Sequence, residues 1–142
     1  MTHFLILSLL ILASVKGSAH GEDKFGPNGG YLKMPGNFHT EVVPDKSGSI
    51  KIYLLDIAFK NPTVKNSKIS ASITHKTKKE LLCTAKRDYF ICSLEKIDLT
   101  KGVLSVFAER DQIKGAEAVY TLPLTLAKAE VDKKMEDHGN HN

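Results

Sequence analysis

The chain has 142 residues, with 20 Lys and Arg against 16 Asp and Glu, six histidines, two cysteines and no tryptophan. A formal net charge of +4 so diluted among carboxylates lacks the clustered basic patch, interleaved with aromatics, that a nucleic-acid binder needs. The length suits one small domain with a single core and leaves too little for two.

Phe4 to Val15 is an unbroken apolar run, followed by Lys16-Gly17-Ser18-Ala19. It is too short to span a bilayer comfortably, and Gly17 and Ala19 stand where a signal peptidase reads small residues, so residues 1–19 are expected to be a cleaved secretory leader. Cleavage after Ala19 makes His20 the first residue of a periplasmic or secreted chain. Loss of Lys16, the one formally charged side chain of the leader, takes the net charge from +4 to +3. No second apolar stretch is long enough for a membrane span, and no cysteine follows the leader to carry a lipid.

A polar, glycine-rich segment, residues 20–30, comes next and should not hold regular structure for long. Short apolar runs then recur at the spacing of an all-β domain, expected over residues 31–126. Tyr31 to Met34 reads as a first strand, closed by Pro35-Gly36. Phe38 to Val43 alternates, with Phe38, Thr40 and Val42 on one face and His39, Glu41 and Val43 on the other. Ile50 to Phe59 carries apolar residues on both faces and should be central. Ile69, Ala71 and Ile73 alternate with Ser70, Ser72 and Thr74, and the cysteine-bearing hairpin is expected to pair with that strand. Val103 to Glu109 and Ala116 to Leu126 complete the set, with Pro123 marking an edge or bulge. Seven or eight short strands joined by turns predict a single antiparallel immunoglobulin-like β-sandwich. Residues 127–142 form a charged tail with His138 and His141.

The cysteines can be placed by register alone. A turn centred between Arg87 and Asp88 sets Ala85 opposite Phe90, Thr84 opposite Ile91 and Cys83 opposite Cys92. With a two-residue loop the cysteines fall in a closely spaced, non-hydrogen-bonded pair, which suits a disulfide. Closing so short a loop stabilises the fold by roughly 2 to 3 kcal/mol in the chain-entropy model. The spacing is not Cys-x-x-Cys, which argues against a redox pair.

Catalytic templates fail in turn. Gly26-Pro27-Asn28-Gly29-Gly30 has no Lys-Ser or Lys-Thr behind it, no serine sits in a Gly-x-Ser-x-Gly elbow, and carboxylate pairs such as Glu22 and Asp23 lie in polar segments with nothing to split their pKa values. The chain is not expected to be an enzyme. Five histidines remain after cleavage, and imidazole suits copper, zinc and nickel. His20 would offer its amine and its ring as a chelate for Cu(II). His39 and Glu41 project together at i, i+2, either as ligands or as a solvated strand face. His75 reads as a partly buried edge residue, and Lys76, Lys78 and Lys79 as a solvated hairpin loop. The expected metal residues are therefore His20, His39 and Glu41, with Asp56 as a further carboxylate ligand or partner and Cu(II) preferred over other divalent transition metals. The competing reading is a non-catalytic interaction module of the cell envelope that binds no metal.

Four short stretches, His20-Gly21, Gly26-Pro27-Asn28-Gly29-Gly30, Gly36 to Val43 and Ile52-Tyr53-Leu54-Leu55-Asp56, together resemble the N-terminal segment of heavy-metal efflux periplasmic adaptor subunits and of small exported metal-resistance proteins. The likeness covers about 37 of 142 residues and implies a stand-alone module that meets a metal ion and an efflux-system or other envelope protein. This chain departs from the pattern at Asn28, where a second histidine is usual. The chain also resembles periplasmic copper-carrier sandwiches, whose mature chains begin with a copper-binding histidine; this implies a metal role for His20.

Overall fold

The computed structural model describes residues 25–45, 47–93 and 98–124. The expected leader, His20 and the tail with His138 and His141 lie outside the described residues. Ten strands run in order: β1 (Tyr31–Lys33), β2 (His39–Pro44), β3 (Ile50–Leu55), β4 (Lys68–Thr74), β5 (Lys78–Glu80), β6 (Leu82–Ala85), β7 (Phe90–Ser93), β8 (Gly102–Arg110), β9 (Ile113–Lys114) and β10 (Ala118–Leu122). They form two antiparallel five-stranded sheets, β1-β2-β3-β7-β6 and β10-β8-β4-β5, with β9 also pairing β8. Among the described residues no helix occurs.

One core lies between the sheets. The first contributes Val42, Ile52, Leu54, Phe90 and Cys92, the second Ala71, Ile73, Leu104, Val106 and Tyr120. A buried polar bridge crosses it. The Tyr120 hydroxyl lies 3.0 Å from the Thr40 carbonyl and 2.6 Å from Thr40 Oγ1. A carbonyl only accepts, so Tyr120 donates to it and the Thr40 hydroxyl donates to Tyr120, leaving neither group unpaired.

The inward set Phe38, Thr40 and Val42 agrees with the alternation in the sequence, and β3 is central in its sheet. Cys83 pairs with Cys92, Thr84 with Ile91 and Ala85 with Phe90, and the two cysteines are joined. The Lys86 N–H donates to the Tyr89 carbonyl at 2.8 Å, closing the expected two-residue turn.

Four expectations need correction. Among the described residues the strand count is ten rather than seven or eight, because β5 and β9 are three and two residues long, exposed and rich in lysine, too short for an alternation to register. The hairpin lies in the sheet opposite β4: the chain pairs β4 through β5, turns inward at buried Leu81, and only then enters β6 beside β7. The third strand stops at Leu55 rather than Phe59. The Asp56 carboxylate accepts the N–H groups of Ala58 and Lys60, both at 2.9 Å, folding residues 56–60 into a loop that leaves Ile57 exposed. His75 is exposed in the turn between β4 and β5 rather than partly buried at a strand edge.

Candidate functional site

His39 and Glu41 project from the outer face of the first sheet, away from the core. Neither is solvated: His39 is 8% exposed and Glu41 0%. Leu32, opposite Glu41 on β1, and Leu55, opposite His39 on β3, are buried there too, outside the core between the sheets. This end of the outer face is thus a second, smaller buried patch, and loops from both sides build it.

The glycine-rich loop closes on Glu41. Oε1 accepts the Asn28 N–H at 2.8 Å and the Gly30 N–H at 2.9 Å, while Oε2 accepts the Asn28 side-chain amide at 2.8 Å. Three donors compensate a carboxylate that burial alone would make costly. Gly26 has no room for a side chain, because a Cβ there would collide with the Glu41 carboxyl. The loop closes on itself through Gly26 N–H to Gly30 O at 2.8 Å, and Phe25 bridges to Tyr31. Glu41 therefore anchors the chain where it leaves residue 25 toward the N-terminus. Across the strand lies Tyr53, whose phenol is held above its ordinary value, mainly by burial, with Asp88, Tyr89 and Glu41 adding to the effect.

His39 is oriented by the opposite loop. Its Nδ1 lies 3.0 Å from the Asp56 carbonyl. Since that oxygen cannot donate, Nδ1 carries the proton, and in the neutral ring Nε2 is left with its lone pair. The Phe59 ring packs over the imidazole at 4.3 Å between centroids and 30° between planes. Phe59 holds φ at 60°, a left-handed conformation that costs a non-glycine residue roughly 1 to 2 kcal/mol. Several contacts sustain it: Phe59 N–H donates to the Asp56 carbonyl at 3.1 Å, the Asn61 amide to Asp56 Oδ2 at 2.7 Å, and Arg110 to the carbonyls of Leu54 and Asn61. Asp56 is held below the ordinary carboxylate range, first by the Lys60 N–H, then by Asn61, Ala58 and the charge of Arg110.

Of the expected metal residues, His39 and Glu41 lie side by side, and Asp56 meets His39 through its backbone rather than its carboxylate. His20 lies outside the described residues. Among the described residues no group of three or more His, Cys, Asp and Glu side chains is placed to hold a metal ion. Sequence reasoning missed Phe59 and the positive role of Asn28; the Asn-Gly pair inside a glycine-rich loop was the available sign of a turn built around a polar side chain. Comparison of the chain with family models, curated proteins and solved structures finds no match.

Proposed function

We propose that this chain is an exported, non-catalytic module that carries a transition metal, copper before other divalent ions, in periplasmic metal homeostasis or resistance, and that its two sheets form an immunoglobulin-like sandwich. The observation that carries the reading is the His39 ring: a backbone carbonyl on Nδ1 and a strained aromatic over its face fix the orientation in which Nε2 is the ligand nitrogen. Metal-bound histidines are commonly oriented in this way. Glu41 supports the site from behind by anchoring the loop that leads to His20. Four residues separate Phe25 from His20, five Cα-to-Cα steps that span at most about 17 Å when extended, and residues 26–30 pack against Glu41, two positions along the strand from His39, so the terminal amine and ring of His20 are within reach of it. The disulfide supports an oxidising compartment, and three of the four stretches that resemble metal-resistance proteins, 26–30, 36–43 and 52–56, meet at this one patch.

The test compares untagged protein beginning at His20 with protein extended by one N-terminal residue, which turns the amine into an amide. The extension is expected to weaken Cu(II) binding on the order of tenfold or more, and His39→Ala to weaken it by a similar factor. Binding should also weaken on acidification, because protons compete with the metal for the ring nitrogens and the terminal amine. Equal affinities measured by titration calorimetry would overturn the assignment.

A second reading, an envelope interaction module without metal, is favoured by the outer face of the other sheet. Val103, Phe107 and Val119 are exposed there, among outward Ser70, Thr74, Ser105 and Thr121, with the charged side chains Lys68, Glu109, Lys78 and Glu80 toward the margins of the same face. Absence of copper binding by the processed protein, together with photo-crosslinks from position 107 to another envelope protein, would move the assignment to this reading.

A further inference from the structure

We infer that Asn28 is a site of spontaneous deamidation whose conversion releases the glycine-rich loop from Glu41 irreversibly, a property of the loop itself that requires no metal. Asn28-Gly29 is the one Asn-Gly step in the chain. In such a step the backbone nitrogen of the second residue attacks the side-chain carbonyl carbon of the first, and glycine puts no Cβ in the way. The new N–C bond closes a cyclic succinimide. The side-chain nitrogen leaves as ammonia, taking the proton that the Gly29 nitrogen gives up. Water then opens the ring at either carbonyl, giving aspartate or isoaspartate, and nothing is oxidised or reduced.

The closed loop engages both reacting groups elsewhere. Glu41 Oε2 lies 2.8 Å from the Asn28 side-chain amide, and a carboxylate only accepts, so the nitrogen end of the amide is turned toward Glu41. The Asn28 N–H donates to Oε1, and the Gly29 N–H donates to the Gly26 carbonyl at 3.0 Å. Attack therefore requires Gly29 to let go of Gly26 and the Asn28 side chain to rotate off Glu41, so the reaction proceeds from the opened loop. Water for the second step is at hand. Asn28 is exposed, and apart from its chain neighbours no atom lies within 4 Å of the point where a Cβ on Gly29 would stand.

Neither product fits back. Aspartate at position 28 exchanges a donor for a second carboxylate, so two acceptors of like charge would meet at the 2.8 Å of the present hydrogen bond, beside a Glu41 that is fully buried. Isoaspartate keeps that charge and also routes the backbone through the former side chain, lengthening it by one carbon between the two N–H groups that share Oε1. The loop has no slack to absorb the change: a Cβ at Gly26 would collide with the Glu41 carboxyl, and one at Gly30 with the Val42 carbonyl. Residues 26–30 therefore detach from β2. The chain ahead of Phe25 loses its tether, and since neither product reverts to asparagine the release is one-way.

The test holds purified protein in mildly alkaline buffer, folded and in urea, and follows conversion at residue 28 by peptide mass mapping. The folded rate should lie about tenfold or more below the unfolded one, and Glu41→Ala should raise the folded rate by a similar factor. Equal rates in the folded and unfolded chain would overturn the shielding. Release is read from hydrogen exchange at the Gly30 amide. Converted protein, separated from unconverted by ion exchange, should lose protection there by about tenfold or more while the Ile52 amide in the centre of the sheet keeps its own. A Gly30 amide still protected after conversion would overturn the release. Asn28→Asp copies the aspartate product and should expose Gly30 in the same way. Adding Glu41→Gln turns the pair around, with the new amide donating to the new carboxylate, and should restore Gly30 protection; no recovery would overturn the charge argument. If a variant fails to fold, the aged wild-type protein decides.

Discussion

At the scale of single residues, Glu41 is the side chain on which the site depends, and its role is testable apart from metal. Replacing it with Ala removes the acceptor of three N–H groups in a buried place and should cost about 2 to 4 kcal/mol, read as a lower denaturation midpoint at unchanged slope. Gly26→Ala should also destabilise, because its new methyl collides with that same carboxyl. The two losses should not add: once Glu41 is Ala, the space that Gly26→Ala needs is open, so the double variant should be more stable than the sum of the single losses requires. Full additivity would mean that the loop does not close on Glu41. The sequence made His39 and Glu41 visible because strand alternation puts them on one face. It could not reveal Asn28 as the partner of Glu41 or Phe59 as the cover of His39, since both contacts join segments that meet only when the sheet's outer face is folded over.

At the scale of elements, the cysteine hairpin was the most legible part of the chain. Turn length and register are local, so counting outward from Arg87 and Asp88 reproduced the pairs along the whole hairpin. Which sheet the hairpin joins is not local. That is decided where Leu81 enters the core, and nothing in the pattern around it marks the change. Serine at both Cys83 and Cys92 should lower stability by roughly 2 to 5 kcal/mol while leaving the proposed metal site around His39 intact, because the hairpin sits on the far side of β3 from β2. Tyr120→Phe should cost about 1 to 2 kcal/mol by stranding the Thr40 carbonyl in the core. Alternation placed Thr40 and Tyr120 on inward faces, yet their meeting across 80 residues of sequence follows only from the stacking of the sheets.

For the molecule as a whole, acid should be the sensitive direction. Asp56 and Asp98 are both held below the ordinary carboxylate value, Asp56 first by the Lys60 N–H and Asp98 first by the Thr100 hydroxyl. Groups with lowered folded-state values stabilise fully above the unfolded value near 3.8, and lose that contribution as pH falls through the folded one. Unfolding midpoints should therefore decline below about pH 4, and Asp56→Asn should flatten part of that decline. An unchanged acid limb would show that the Asp56 loop is not held through its charge. The two sheets are also laced along both sides. On one, the chain itself passes from sheet to sheet at Leu81, whose N–H still bonds the Ala71 carbonyl at 2.8 Å; on the other, Ala116 N–H reaches the Pro35 carbonyl. A stack fastened along one side could open like a book and expose the amides of the other. Fastened along both, it offers no such partial opening, so the Leu81 and Ala116 amides, remote from one another in sequence, should exchange with deuterium only through complete unfolding, at one shared free energy.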